Sequence, residues 1–242
     1  MHVPVLIFPE LDSTNSEAAR RARSGEPGPL WITTKTQTAG RGRQGRAWQG
    51  GQGNLAATLL LSTHKPPAQA AQVAFVAALA AADMAADFVP SGRVTLKWPN
   101  DVLIGGAKAC GVLVETGAAE GGGLWLAVGV GANLAGAPDD TPYPATHFGA
   151  EGRTPSPEEA LEALDAAFAH WLDIWVGQGF EPVRIAWTAR AYGLGQTASV
   201  ALSGEAINGV AQGLDADGAL LLRGPEGTVR RITAGDVIFG AP

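Results

Sequence analysis

The sequence predicts an α+β fold, a mixed β-sheet with helices followed by a small β-barrel. Three observations carry that expectation. Short runs rich in Val, Leu and Ile, closed by Gly, Pro, Asn or Asp, recur between Leu30 and Leu134 and read as sheet strands. Longer segments of helical pattern lie among and after them. From Leu194 the pattern changes to alternating strands with turns at "LSGEA", "DADG" and "GPEG". A chain of 242 residues, 46% hydrophobic and 17% charged, can bury one large core and still carry such an appendage.

The first helix is expected close to "LDSTN", because Thr14 followed three residues later by Glu17 satisfies the capping-box pattern ahead of "NSEAARRAR". That places the Ser13 and Thr14 hydroxyls at a helix entrance. "LWITTKTQ" and "NLAATLLL" read as strands on either side of "TAGRGRQGRAW" (Thr38 to Trp48), so this Arg/Gly segment is a loop anchored at both ends. "PAQAAQVAFVAALAAADMAADF" is expected to form one long helix, apolar nearly all round and therefore buried. Then come four strands, "RVTLKW", "DVLI", "KACGVLVET" and "LWLAVGVGANL", punctuated by "PND", "GG" and "GAAEGGG". A Pro/Gly-rich connection from Ala135 to Pro155 leads to Ser156, with Pro157 at the first helical position and Glu158 and Glu159 in the first turn. That helix runs to about Gln178, and "EPVRIAWTARA" forms a second, shorter one. The expected domains are therefore residues 1–192 and 193–242.

Several classes are excluded. "VAFVAALAAA" is interrupted by Asp83, well short of the roughly 20 residues of a membrane-spanning helix, so no membrane partner is expected. "MHVPVLIFPELD" has no basic region or cleavage site, and the single cysteine, Cys110, excludes an intramolecular disulfide framework, which predicts a cytoplasmic protein. The net charge of -6 argues against a surface-wide nucleic-acid or membrane interaction and leaves room for a local anion site. There is no "GxxxxGK[ST]" P-loop and no "GxSxG" elbow. His2, His64, His147 and His170 lack metal-ligand spacing and Cys110 has no cysteine partner, so no protein-bound metal is expected. Asp139 and Asp140, in a Pro-rich loop, are expected to be solvated.

Against that acidic background, Arg41, Arg43 and Arg46 cluster in one loop. Gly40, Gly42 and Gly45 let the backbone turn tightly and press its N–H groups against a ligand while guanidinium groups close around it. A phosphate or carboxylate suits this arrangement; a solvated loop or a weak nucleic-acid tether is the blander reading. "KWPND" places Lys97 and Trp98 on opposite faces of a strand end, where Pro99 breaks the ladder and Asn100 and Asp101 turn the chain. In "KACGVLVE", period-two alternation puts Lys108 on the apolar face with Cys110, Val112 and Val114. There it either snorkels out or meets an anion, since an unpaired buried ammonium is costly. Gly111, on the other face, lets a ligand approach the backbone.

In this order and at this spacing, "LDSTN", "QTAGRGRQGRAW", "KWPND" and "KACGVLVE" resemble the bacterial biotin protein ligases, the enzymes that attach biotin to acetyl-CoA carboxylase. The resemblance runs from about Phe8 through "GVGANL" to "GLDADGALLL". It implies a mixed sheet with helices related to the class II aminoacyl-tRNA synthetases, as a catalytic biotin/ATP-binding domain over residues 1–192, and a small SH3-like barrel over 193–242. Carried over residue by residue, Ser13, Thr14, Asn15 and Gln37 resemble the polar contacts of the biotin ring system, with Gly111 in the same biotin-binding set. Arg41, Gly42 and Arg43 resemble the loop that closes over biotin and its adenylate, and Lys108 the lysine that meets the biotin carboxylate and the α-phosphate. Arg46, Trp48, Lys97, Asn100 and Asn133 resemble ATP-binding positions, and Lys108 and Arg43 are the implied catalytic pair. Two departures stand out. The chain starts almost directly at "FPELDSTN", leaving no room for the helix-turn-helix domain of repressor-type members, so no DNA partner is expected. "GANLAG" has Ala132 where the family usually has a larger aliphatic residue, and an unusually Pro-rich segment follows.

The resemblance implies biotin and ATP as substrates, with Mg2+. The biotin carboxylate attacks the α-phosphate of MgATP to give biotinyl-5'-AMP and pyrophosphate, and a lysine of the biotin carboxyl carrier protein then attacks the mixed anhydride. Both partners in the first step are anions, so fixed cations at their meeting point offset repulsion and stabilise developing charge. Lys108, Arg43 and Arg46 are expected to do this, under an Arg/Gly lid that keeps water from the adenylate. A lipoate or other acyl-protein ligase would use the same adenylating chemistry and is the alternative. A nucleic-acid module predicts several phosphate contacts, whereas the chain offers one basic cluster. The oligomeric state is left open, a homodimer included.

Overall fold

In the computed structural model, which describes residues 3–202 and 205–240, the expected strands pair into two sheets. His2, and Ser203 and Gly204 of the expected "LSGEA" turn, lie outside the described residues. The first sheet takes β1 (Val5–Phe8), β2 (Leu30–Thr34), β3 (Leu55–Thr63), β4 (Val94–Lys97), β5 (Asp101–Ile104), β6 (Ala107–Ala118) and β7 (Leu124–Ala132) in the order β1-β2-β3-β7-β6-β5-β4. Only β1 and β2 run parallel, so the sheet is mixed as expected. The second sheet is antiparallel, in the order β11-β10-β9-β8-β12, from β8 (Thr197–Leu202), β9 (Glu205–Leu214), β10 (Leu220–Arg223), β11 (Val229–Ile232) and β12 (Asp236–Phe239), and forms the small SH3-like barrel.

Period-two alternation gives the large sheet two different faces. Leu55, Ala57 and Leu59 of β3, Leu126, Val128 and Val130 of β7, and Cys110 and Val112 of β6 are buried in one core cluster with α3 (Val73–Ala86), α5 (Pro157–Gln178) and α6 (Phe180–Ala189). The other face is only partly covered. α1 (Thr14–Arg23) packs Ala18, Ala19 and Ala22 against Leu30, Ile32, Leu60, Trp125 and Ala127 at one end, and the rest of that face carries the cavity described below.

Two helix starts differ from expectation. The Ala-rich helix is broken into α2 (Pro67–Ala70) and α3, with Gln72 at the break turned inward to accept the Trp175 indole N–H at 3.2 Å. The joined segment Pro67–Ala86 is long and apolar enough to cross a membrane, yet 67% of its most apolar window is buried in the protein. The capping box does not form at α1: Ser13 is the N-cap, Thr14 is already helical, and the Glu17 carboxylate pairs with Arg20 and Arg21. The polar atoms at this helix entrance are committed elsewhere, to the cavity. The capping box does form at α5, where Ser156 Oγ accepts the Glu159 N–H and Glu159 Oε2 accepts the Ser156 N–H.

The barrel is seated against the helical face and against "KWPND". Trp98, buried, donates its indole N–H to Gly218 O at 3.1 Å, and Phe239 packs edge-on against Tyr192 with ring centroids 5.6 Å apart. Gly218 has a left-handed φ of 94°, and a Cβ there would stand 2.7 Å from the Phe75 ring, so both backbone and packing require glycine. The remaining short helix, α4 (Phe148–Glu151), closes the Pro-rich segment after β7.

Candidate active site

A cavity of about 460 Å³ opens on the α1 face of the large sheet. Of the binding and catalytic positions that the resemblance implies, all but Asn133 line it. Asn133 is buried behind the wall, where its side-chain amide donates to Thr146 O at 3.1 Å, while its Oδ1 has no hydrogen-bond partner among the described residues.

One end of the cavity is neutral and tightly bonded. Gln37 Oε1 accepts the Thr14 backbone N–H at 2.9 Å, supplying the acceptor that the first turn of α1 lacks from its own cap. Thr58 of β3 donates to Asn15 Oδ1 at 2.7 Å and lies 2.8 Å from Thr14 Oγ1, and Asn15 in turn donates to Glu115 at 2.9 Å and to Leu113 O at 3.2 Å. Arg41 closes this corner, with both Glu115 oxygens at 3.0 Å and Ser16 Oγ at 2.7 Å. With rotamers locked in this way, the corner can recognise a neutral ring bearing donors and acceptors at fixed angles.

Between the ends, the floor is bare backbone. Gly111 of β6 is paired with Gly131 of β7, and Gly129 lies on the same face two residues back. The Trp48 indole rests on this strip: a Cβ on Gly131 would lie 2.6 Å from Cζ2, and one on Gly111 would lie 3.1 Å from Cζ3. A Cβ on Gly129 would collide with the Asn15 amide. The glycines therefore set the depth of the slot.

The other end is cationic, and here the structure corrects the sequence. Strict alternation puts Lys108 on the Cys110 face; instead it lies on the Gly111 face, its Nζ within 3.5 Å of where a Gly111 Cβ would be. The cause is a bulge. Val102 pairs with Cys110 but Leu103 pairs with Lys108, so Ala109 is an extra residue in β6. Beyond it β6 keeps β5 on one edge, and on the other, where β7 has ended, Lys108 N–H donates to Pro144 O at 2.8 Å and Lys108 O accepts the Thr146 N–H at 2.9 Å. Lys108 thus avoids the core without snorkelling, and Nζ sits 2.7 Å from Asp101 Oδ1, between the rings of Trp48 (5.7 Å) and Tyr143 (5.2 Å). Cys110 stays in the core, where burial pushes its thiol pKa well up and leaves it inert.

Lys97 faces the same end, opposite Asp101 across the β4–β5 hairpin. Burial pulls its pKa down, and the Asp101 carboxylate partly restores it. Burial also works against the Arg43 charge; Arg43 donates to Asn100 Oδ1 at 3.3 Å, and Asn100 donates to Val112 O, tying the loop to "KWPND". Arg46 leaves the loop in the other direction and meets Asp236 of β12 at 2.8 Å. Cationic side chains desolvated around one space favour an anion between them.

The sequence reading missed Asp101, which it placed in a turn; Thr58, a hydroxyl within the apolar run "NLAATLLL"; Glu115; Tyr143; and the barrel's contribution, with Asp236 and Val237 in the cavity wall. The alternating glycines of "VGVGA" were the legible signal for the floor. Asp139 and Asp140 are exposed, as expected. Among the described residues, no three His, Cys, Asp or Glu side chains are grouped to hold a metal.

Comparison with known proteins places the chain in a family and bears out the fold. The family described as "Biotin/lipoate A/B protein ligase family" matches residues 8–133, and "Biotin protein ligase C terminal domain" matches residues 193–240. The chain is 43% identical over 237 residues to a biotin–[acetyl-CoA-carboxylase] ligase of Paracoccus denitrificans, covering 95% of this chain and 98% of that protein. It is 31% identical to the Mycobacterium tuberculosis protein of the same name, covering 96% and 87%. The biotin protein ligase of Aquifex aeolicus, solved with biotin and ATP, shares the fold with a TM-score of 0.80 at 24% identity, each chain covered to 98%. The chain belongs to the biotin/lipoate A/B protein ligase family.

Proposed function

We propose that this protein is a biotin–[acetyl-CoA-carboxylase] ligase: it activates biotin with ATP to biotinyl-5'-AMP and transfers biotin to a lysine of a biotin carboxyl carrier protein. The observation that carries the reading is the division of one cavity into a neutral hydrogen-bonding corner at Thr14, Asn15 and Gln37 and a cationic end at Lys97, Lys108 and Arg43, joined by a glycine floor. Biotin has the matching division, a ureido ring at one end and a carboxylate at the other. The glycine floor takes the Trp48 indole without closing the slot, so a ligand whose ring fills the corner runs past it and brings its carboxylate to the cations.

In this reading Lys108 and Arg43 hold the carboxylate and the α-phosphate together and stabilise charge on the phosphorus oxygens, while Lys97 and Arg46 draw the polyphosphate. Trp48 offers an aromatic face to the nucleotide. Asn133 reaches it only if the Pro-rich segment shifts, and its unpartnered Oδ1 is the acceptor it would offer. Magnesium enters with the substrate as MgATP; Asp101 and Asp236 are carboxylates on the wall, which suits an ion carried by phosphates better than a resident one. The Arg/Gly loop, pinned through Asn100 and Asp236, excludes water from the adenylate until the carrier lysine arrives. In this reading residues 1–192 are the catalytic unit and 193–242 support closure and docking, in a cytoplasmic protein; the C-terminal family match over residues 193–240 supports that boundary.

The test is ATP–pyrophosphate exchange with each acid in turn. Biotin-dependent exchange, with transfer of label to one lysine of a carrier domain, is the expected result. Exchange driven by lipoate or another acid and not by biotin would replace this reading with another acyl ligase.

A further inference from the structure

We infer that Tyr143 is a positioning residue for the reaction, holding the Lys108 ammonium at the cationic end of the cavity by the face of its ring. The inference rests on the proposed role of Lys108 in binding the reacting anions.

Lys108 Nζ has three close neighbours: the Asp101 carboxylate at 2.7 Å, the Trp48 ring with its centroid at 5.7 Å, and the Tyr143 ring with its centroid at 5.2 Å. They do different work. Asp101 cancels the charge that the reaction needs, and it has a second cation available in Lys97, its cross-strand neighbour. Trp48 belongs to the Arg/Gly loop, not to a segment bonded to the Lys108 backbone. Tyr143 is attached to Lys108 itself, because the segment bearing it is hydrogen-bonded to the Lys108 backbone on both sides, Pro144 O accepting from Lys108 and Thr146 donating to it. Whatever displaces β6 at the bulge therefore carries the ring along with the ammonium.

A ring face attracts an ammonium through its quadrupole and contributes no net charge. Tyr143 can thus fix where Lys108 points and leave its full positive charge for a carboxylate or phosphate, which a second carboxylate could not do. When the anion arrives, Asp101 exchanges Lys108 for Lys97, and Tyr143 remains as the contact that keeps the ammonium aimed. Nothing in "TPYPA" marks this role, because it depends on the pairing of this segment with Lys108 and on the bulge that turns Lys108 to the cavity face.

The experiment is a double-mutant cycle read by biotin-dependent ATP–pyrophosphate exchange, with Tyr143→Leu, Tyr143→Met and Tyr143→Phe each made in wild-type and Lys108→Gln backgrounds. Tyr143→Leu and Tyr143→Met are expected to lose about 3- to 30-fold in exchange rate, the span of a partly to fully desolvated cation–π contact, and Tyr143→Phe to recover it to within about 2-fold. In the Lys108→Gln background the three variants should equal one another. Equal rates for Tyr143→Leu, Tyr143→Met and wild type would overturn the inference. So would an equal further loss in the Lys108→Gln background, which would make Tyr143 a nucleotide or biotin contact in its own right, or a Tyr143→Phe rate as low as the leucine variant's, which would assign the effect to the hydroxyl. A wild-type enzyme with no biotin-dependent exchange would instead overturn the proposed function.

Discussion

Arg46 and Asp236, 190 residues apart in the chain, meet at 2.8 Å and tie the Arg/Gly loop to the last strand of the barrel. Both side chains are nearly half exposed, so the pair contributes about 1 kcal/mol or less to folding. Its consequence is local. Asp236→Asn is expected to lower Tm by no more than about 4 °C, yet to speed tryptic cleavage after Arg43 and Arg46 several-fold. A loop cut at the wild-type rate would show that the barrel does not restrain it.

Lys108→Gln keeps most of the side chain's length and removes its charge. The exchange rate should fall on the order of 10²-fold, as for loss of one preorganised charge donor, with far-UV circular dichroism and Tm near wild type. A folded mutant with normal exchange would take Lys108 out of the chemistry.

Arg43→Gly removes a charge-assisted contact worth roughly 1.5 to 3 kcal/mol and loosens a loop already rich in glycine. Lys108 remains to support adenylate synthesis, so retention should suffer more than formation. The variant is expected to release free biotinyl-5'-AMP and to label lysines of an unrelated protein, visible on a biotin blot, where wild type labels the carrier alone. Adenylate held as long as by wild type would refute the grip assigned to Arg43.

The glycine floor predicts two different outcomes from one added methyl. Gly131→Ala pushes on Trp48, whose indole N–H makes no hydrogen bond among the described residues, so ligand KM should rise while Tm hardly changes. Gly129→Ala pushes on Asn15, which is buried and bonded to Thr58, Glu115 and Leu113, so it should weaken biotin binding and also cost about 1 to 3 kcal/mol of stability. Calorimetry of the two variants separates these outcomes; equal destabilisation would mean that Trp48 is as fixed as Asn15.

Lys97 gives the pH dependence. Burial lowers its pKa, so its charge is lost at lower pH than that of a free lysine near 10.4, and the KM for ATP should begin to rise on the alkaline side before that value. Lys97→Arg, whose guanidinium stays charged, should move that limb to higher pH. Folding has the opposite sign: the unfolded chain holds the proton longer, so the stability contributed by this residue increases as pH climbs from the lowered pKa toward the ordinary one. A limb unmoved by Lys97→Arg would assign it to another group.

Strand and helix positions were legible wherever a local pattern decided them. Ser156, Pro157 and Glu159 announce α5, and the Val/Gly alternation of "VGVGA" announces a strand with one apolar and one bare face. What was not legible depended on non-local pairing. Alternation assigns Lys108 to the core until Ala109 is recognised as a bulge, and the bulge is set by pairing with β5 and with the Pro144–Thr146 segment, neither of which leaves a mark in "KACGVLVE". Thr14 and Glu17 matched a capping box that the fold does not use, because Gln37, on a loop 23 residues away, already serves the Thr14 N–H. Asp236 was invisible for the same reason: only the docking of the barrel brings it to Arg46.

Along β7, Val128 and Val130 lie beneath α3 while Gly129 and Gly131 form the floor of the cavity. Only the thickness of one polypeptide separates the protein's interior from its ligand. Selection therefore cannot tune the two sides of this strand independently: a methyl group gained or lost among the valines moves the floor of the substrate slot. Laboratory evolution toward a bulkier acid should accordingly return paired changes, one on each side of the same strand, and seldom a change on one side alone.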